Sequence, residues 1–138
     1  MSRDEEVAEL LTGKCRQFER RFRDRRIEEL VADFYLPDGV LEGRDMPPHA
    51  GHEALRSILL DAREVYSMIE IDLDPVTVVG SVAFGSFTNR NILPDEEIEI
   101  HRGIMIWREV DGSWRVARDF FFAEDHLSAS LQSIAPPR

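Results

Sequence analysis

The hydrophobic period changes once along this chain, and that change limits the folds open to it. Up to about residue 65 the apolar residues recur every three or four positions. They run Val7, Leu10, Leu11, Cys15, Phe18 and Phe22, then Ile27, Leu30, Val31 and Phe34, then Leu55, Ile58, Leu59 and Ala62. That spacing draws a stripe down one face of a helix. From Met68 the period is two: Ile69, Ile71 and Leu73 alternate with Glu70 and Asp72, as in a strand buried on one side. Three helices followed by a run of strands predict an α+β domain, its helices segregated on one face of a curved antiparallel sheet.

Turn residues set the joints. Ser2 is a candidate N-cap, and Asp4, Glu5 and Glu6 behind it suit the positive end of a helix dipole. Pro37 ends the second helix at Tyr35-Leu36, because the residue before proline is pushed out of the helical region. Asp38-Gly39 reads as a turn, Val40–Glu42 as a brief strand, and residues 43–50, with two prolines, as a loop. Gly80-Ser81 joins one hairpin, and Val110-Asp111-Gly112 joins the two long strands 97–108 and 113–123. Residues 1–127 are expected to form one domain and 128–138 a flexible tail.

Charge narrows the function. The chain carries 27 acids against 17 bases, a net −10, which argues against a nucleic-acid partner because phosphate binding needs a basic surface. A single cysteine, Cys15, leaves no intrachain disulfide and no zinc site of paired cysteines. His49 and His52 have an H-x-x-H spacing without a second ligand cluster, so no metal site is predicted. The acidic start lacks signal-peptide order and no apolar run is long enough to span a bilayer. A cytoplasmic protein without membrane contact is therefore expected.

Two segments carry a family resemblance. Phe34-Tyr35-Leu36-Pro37-Asp38-Gly39-Val40-Leu41-Glu42, followed by Gly51-His52-Glu53-Ala54-Leu55-Arg56, is one. The other is the closing hairpin from Gly103 through Trp107 and Gly112 to Trp114 and Val116. Together they resemble the NTF2-like superfamily, which includes ketosteroid isomerases, SnoaL-type cyclases and scytalone-type dehydratases. The resemblance implies a cone of three helices over a curved sheet, with a small-molecule pocket at its mouth. It also permits a test of the steroid-isomerase machinery, which needs a carboxylate base, a tyrosine and a protonated aspartate. Those positions fall on Gly43, Phe18 and Met105, so that mechanism is not expected. Asp125-His126-Leu127 with Gln132 resembles the end of SnoaL-type cyclases and implies an acid/base role for Asp125.

With Met105 facing inward, strand alternation places Glu99, His101, Gly103 and Trp107 beside it. Trp114, Val116, Arg118, Phe120 and Phe122 follow on the last strand, and Phe84, Ser86, Thr88 and Arg90 on the middle hairpin. His101 is then the first catalytic candidate, since imidazole exchanges protons near neutral pH. Arg118 is a candidate to hold a carboxylate or enolate. Tyr35, Phe84, Ser86, Thr88, Met105, Trp107, Phe120 and Phe122 are the expected substrate-binding residues. The expected pocket is apolar, poor in carboxylates, and takes a small hydrophobic molecule without a cofactor. Phe120-Phe121-Phe122 must leave at least one ring on the outer sheet face, which points to a homodimer through the sheet. Three readings stay open: a cofactor-independent cyclase, isomerase or dehydratase; a non-catalytic ligand-binding protein; and a dimeric interaction module.

Overall fold

A computed structural model describes residues 1–123. Helix α1 (Arg3–Arg23) opens on a capping box, with the Ser2 hydroxyl accepting from the Glu5 backbone and the Glu5 carboxylate accepting from Ser2. Its stripe of Val7, Leu11, Cys15, Phe18 and Phe22 is buried. Helix α2 (Ile27–Phe34) buries Ile27, Leu30, Val31 and Phe34, and stops where the chain turns extended at Tyr35. Helix α3 (His52–Val65) is entered through Gly51 at φ 88°, a left-handed conformation that glycine adopts without strain.

Seven strands follow or interleave: β1 (Tyr35–Gly43), β2 (Met46–Ala50), β3 (Met68–Leu73), β4 (Thr77–Val79), β5 (Val82–Ile92), β6 (Ile98–Val110) and β7 (Ser113–Ala123). The sheet order is β2-β1-β7-β6-β5-β3, with β4 pairing on β5. Two expectations are corrected. The sheet is mixed, because β1 lies parallel to β7, where an antiparallel sheet was expected. The proline-rich stretch 43–50 contains strand β2, which pairs with β1 at the sheet edge, a place where proline's missing N–H costs no ladder bond. The Asp38-Gly39 turn survives as an excursion inside β1: Tyr35 pairs with Val116 and Val40 with Arg118, so four residues loop out between them.

The core lies between the helices and the concave sheet face. Trp107 is fully buried there, with the Phe34 ring edge-on at 5.2 Å and Tyr35 beyond it, 5.1 Å from Phe34. α1 is fastened to β3 by a polar contact as well: the Ile71 N–H donates to the buried Glu19 carboxylate at 2.7 Å, and Arg16 pairs with the same carboxylate. Such a buried acid is tolerable because its Oε2 is held by both an N–H and a guanidinium.

Two features of β6 and β7 shape the cone. Trp107 pairs with Val116 while Ile106 pairs with Arg118, leaving Ala117 as an extra residue, a β-bulge. Further along the same pair of strands, where Gly103 faces Phe121, a Cβ built on Gly103 would lie 1.9 Å from the Phe120 carbonyl oxygen and 2.8 Å from the Phe87 ring. Only glycine lets the strands come this close. Gly103→Ala should cost about 3 kcal/mol or more by overpacking, measured as the drop in urea-unfolding free energy. An unchanged midpoint would show that the strands can part there freely.

Candidate functional site

A cavity of about 320 Å³ opens between α1, α3 and the concave sheet face. Its walls are mostly apolar: Phe18 from α1, Ile58 and Ala62 from α3, Ile69 from β3, Met105 from β6 and Phe121 from β7. The size and texture fit a small-molecule site. Among the described residues, no arginine or lysine lines it.

One pole of the cavity is an acid and a hydroxyl. Asp119 is 6% exposed and Tyr35 1%, and the Tyr35 hydroxyl donates to Asp119 Oδ2 at 3.0 Å. Burial pushes the Asp119 carboxyl from 3.8 up to about 7, while the hydrogen bond from Tyr35 pulls the other way. Burial, followed by the neighbouring Asp119 charge, holds the Tyr35 hydroxyl well above its ordinary value. The Tyr35 backbone is held in turn by His52, whose Nε2 lies 2.9 Å from the Tyr35 carbonyl. Cys15, also buried, is pushed up to about 12, chiefly by burial, which keeps it an unreactive thiol.

The other pole lies on β5 and β6. Asn89 sits opposite His101 and Asn91 opposite Glu99; Asn89, Asn91 and His101 all line the cavity. Tyr66, the residue after α3, donates its hydroxyl to Glu99 Oε1 at 2.8 Å, and His101 Nε2 lies 3.3 Å from the same oxygen. Among the described residues no group of His, Cys, Asp and Glu is placed to hold a metal ion, and no helix is long and apolar enough to cross a membrane.

By sequence, no family model and no curated protein matches the chain. Its shape does match solved structures. An NTF2-like protein with a cystatin-like fold from Novosphingobium aromaticivorans superposes with a TM-score of 0.68 at 14% identity, covering 96% of this chain and 90% of that one. Aln2 from a Streptomyces species gives 0.74 at 12% identity, covering 91% and 96%. A ketosteroid isomerase-like protein from Erwinia carotovora atroseptica gives 0.67 at 19% identity, covering 83% and 93%. The fold is NTF2-like.

On this NTF2-like frame the residues expected in the pocket divide. Tyr35, His101 and Met105 line the cavity. Trp107 stands in the core against Phe34, outside the cavity wall. The inward orientation expected of Arg118, Phe120 and Phe122 is corrected: the bulge at Ala117 reverses the faces of β7 beyond it. Arg118, its side chain 61% exposed, pairs with Glu42 at 3.2 Å outside the cone. Phe84, Ser86 and Thr88 are likewise on the outer face, because β5 turns Ala83, Phe87, Asn89 and Asn91 inward. Phe84 is exposed, and the Ser86 hydroxyl donates to Asp74. Asp125 lies outside the described residues.

The expected scarcity of carboxylates is corrected as well. Gly43, Phe18 and Met105 bring no acid or hydroxyl of their own, yet Asp119 supplies a buried acid from the reversed half of β7. Strict alternation from Trp114 puts Asp119 outside, and nothing in the sequence marks Ala117 as the extra residue. Asn89-Arg90-Asn91 did carry a signal: two asparagines two apart, a residue type scarce in strands, near the end of a long one.

Asp119 titrates about three pH units higher in the folded chain than its ordinary value, so the native state holds a proton that the unfolded state has released. Its contribution to stability is therefore fully present below about pH 4 and is lost as pH rises toward 7. The difference is at most about 4 kcal/mol. Urea unfolding of the wild type from pH 4 to 8 should show this decline, and Asp119→Asn should flatten it. A variant with the same slope as the wild type would assign the decline to other groups.

Proposed function

We propose that the chain is a cofactor-independent enzyme that moves a proton on a small hydrophobic carbonyl compound, in the isomerase, cyclase or dehydratase class. The observation that carries this reading is the Asp119–Tyr35 pair, a buried carboxyl pushed up to about 7 at the wall of an apolar cavity. A carboxyl that changes protonation near neutral pH serves as a base in one step and an acid in the next. The Asp119 carboxylate takes a proton from the carbon next to the carbonyl. The C–H electron pair forms the new C=C bond, and the carbonyl π pair moves to oxygen. The protonated Asp119 then returns the proton, to the same carbon or to another. Tyr35, whose hydroxyl stays protonated, holds the acid in place. His101 lines the same cavity.

Exchange of the α-protons of 2-tetralone in D2O, followed by NMR, tests the reading. The wild type should accelerate exchange, with the rate rising through about pH 7 as Asp119 ionises. Asp119→Asn should lower it by about 100-fold or more. Exchange at the buffer rate, or a variant as fast as the wild type, would sink the proposal.

A second reading concerns assembly. Phe84, Ile104 and Phe120 are exposed on the outer sheet face at 42%, 52% and 37%, and the Phe120 and Phe122 rings lie 6.2 Å apart. These rings support a homodimer through the sheet, since an apolar face of this kind is sticky in water. Sedimentation should show a dimer that Phe120→Arg converts to monomer. A wild-type monomer at 100 µM or so, a concentration high enough for standard interfaces to assemble, would reject it.

A further inference from the structure

Strand β1 leaves its ladder between Tyr35 and Val40, and two successive residues at the start of α3 hold both ends of that excursion. The Gly51 N–H donates to the Gly39 carbonyl at 2.9 Å. His52, the next residue, places Nε2 2.9 Å from the Tyr35 carbonyl. A carbonyl oxygen only accepts, so Nε2 carries the proton and donates it. A neutral ring protonated on Nε2 and a doubly protonated ring both make this bond, so it persists in either charge state of His52. Glu28 from α2 and Glu53 and Arg56 from α3 line the surface hollow beside the imidazole.

The grip matters because of what Tyr35 carries. At the far end of its side chain the hydroxyl donates to Asp119 Oδ2 at 3.0 Å. After Tyr35 no ladder pairing to β7 holds the backbone until Val40, and the His52 bond fastens the carbonyl in that gap. A hydrogen bond weakens steeply once it is misaligned, and a small turn of the Tyr35 backbone swings the distant hydroxyl off the carboxyl. Asp119 sits between Leu41 of β1 and Met105 of β6, both apolar. The nearby Cys15 thiol on α1, pushed up to about 12, stays neutral. Among the described residues, the Tyr35 hydroxyl is thus the group that draws the Asp119 carboxyl down against burial.

We propose that His52 is a positioning residue for the buried acid: by gripping the Tyr35 carbonyl it keeps the Tyr35 hydroxyl aligned on Asp119 Oδ2. His52 does not line the cavity, so it acts through Tyr35 and not on a substrate. Loosening the grip leaves burial less opposed, and Asp119 keeps its proton to higher pH. A role in turnover rests on the reading of Asp119 as the base, whereas the grip on the acid does not.

Carbon-13 NMR titration of the Asp119 carboxyl from pH 4 to 9, assigned with Asp119→Asn, tests this without turnover. Tyr35→Phe should raise the midpoint by about half a pH unit or more, the worth of one hydrogen bond. His52→Ala should raise it too; where alanine fails to give native circular dichroism, His52→Leu fills the space without a donor. His52→Gln, which brings an amide N–H to the same carbonyl, should stay near the wild type. Tyr35→Phe combined with His52→Ala should titrate as Tyr35→Phe alone, because no hydroxyl is left to align. The pH–rate midpoint of 2-tetralone exchange should follow the same order. An unmoved midpoint in Tyr35→Phe overturns the proposal, whatever the His52 variants do. So does an unmoved midpoint in a folded His52→Ala or His52→Leu, or a glutamine variant shifted as far as the alanine one. Full additivity of the two substitutions also overturns it, because His52 would then act on Asp119 by its own field and not through the hydroxyl. The expected titrations without any tetralone exchange would instead reject only the enzymatic reading.

Discussion

Because side chains alternate faces along a strand, one unpaired residue at Ala117 decides which part of β7 looks into the cone. Before it, Trp114 and Val116 pack inward against the core. Beyond it, Asp119 and Phe121 turn inward, and Arg118 and Phe120 turn to the outside. Without the bulge the cavity would hold a guanidinium, with Phe120 and Phe122 in place of Phe121, and the acid would stand in water. The electrostatic character of the pocket thus follows from a backbone irregularity two residues away from the group concerned.

The rest of the interior is arranged to tolerate that acid. A carboxyl in an apolar wall is costly when ionised and cheap when neutral, and burial accordingly moves Asp119 to the middle of the physiological range. Tyr35 supplies the one hydrogen bond that opposes this shift. The hydroxyl is available because α2 ends at Phe34 and hands Tyr35 to the first position of β1, directly opposite Val116 on the parallel β7. Helix end, parallel pairing and bulge each contribute one coordinate of the same contact. The two poles of the cavity are then unlike in kind: one is a carboxyl that changes protonation near neutral pH, and the other is built of two asparagines beside His101.

Much of the frame was legible from apolar spacing. The stripes of Val7 to Phe22 and Ile27 to Phe34, the stop before Pro37, the alternation after Met68 and the turn at Asp111-Gly112 all correspond to elements of the structure. Faces were legible where one strand is regular: on β6, Gly103, Met105 and Trp107 are buried together. They failed on β7, because a bulge shifts parity by one without a residue type that announces it. They failed on β5 for another reason. Phe84 and Phe87 are an odd number of positions apart, so only one ring can face the core, and the choice of Phe87 is made by tertiary pairing with Gly103. The parallel β1–β7 contact was illegible too, since its partners are remote in the chain and parallel pairing leaves no hairpin turn to mark it.

That remoteness has a kinetic meaning. Tyr35 and Asp119 are 84 positions apart, and β1 has no partner on its inner side until the last strand arrives. Loop closure of this length is slow and comes late. During synthesis and early folding the helices and the β3–β6 hairpins can assemble while Asp119 is still hydrated and fully ionised. The carboxyl takes up its proton only when β7 docks beside β1, so at neutral pH the final folding step should itself be proton-linked, slowing as the solution becomes more alkaline.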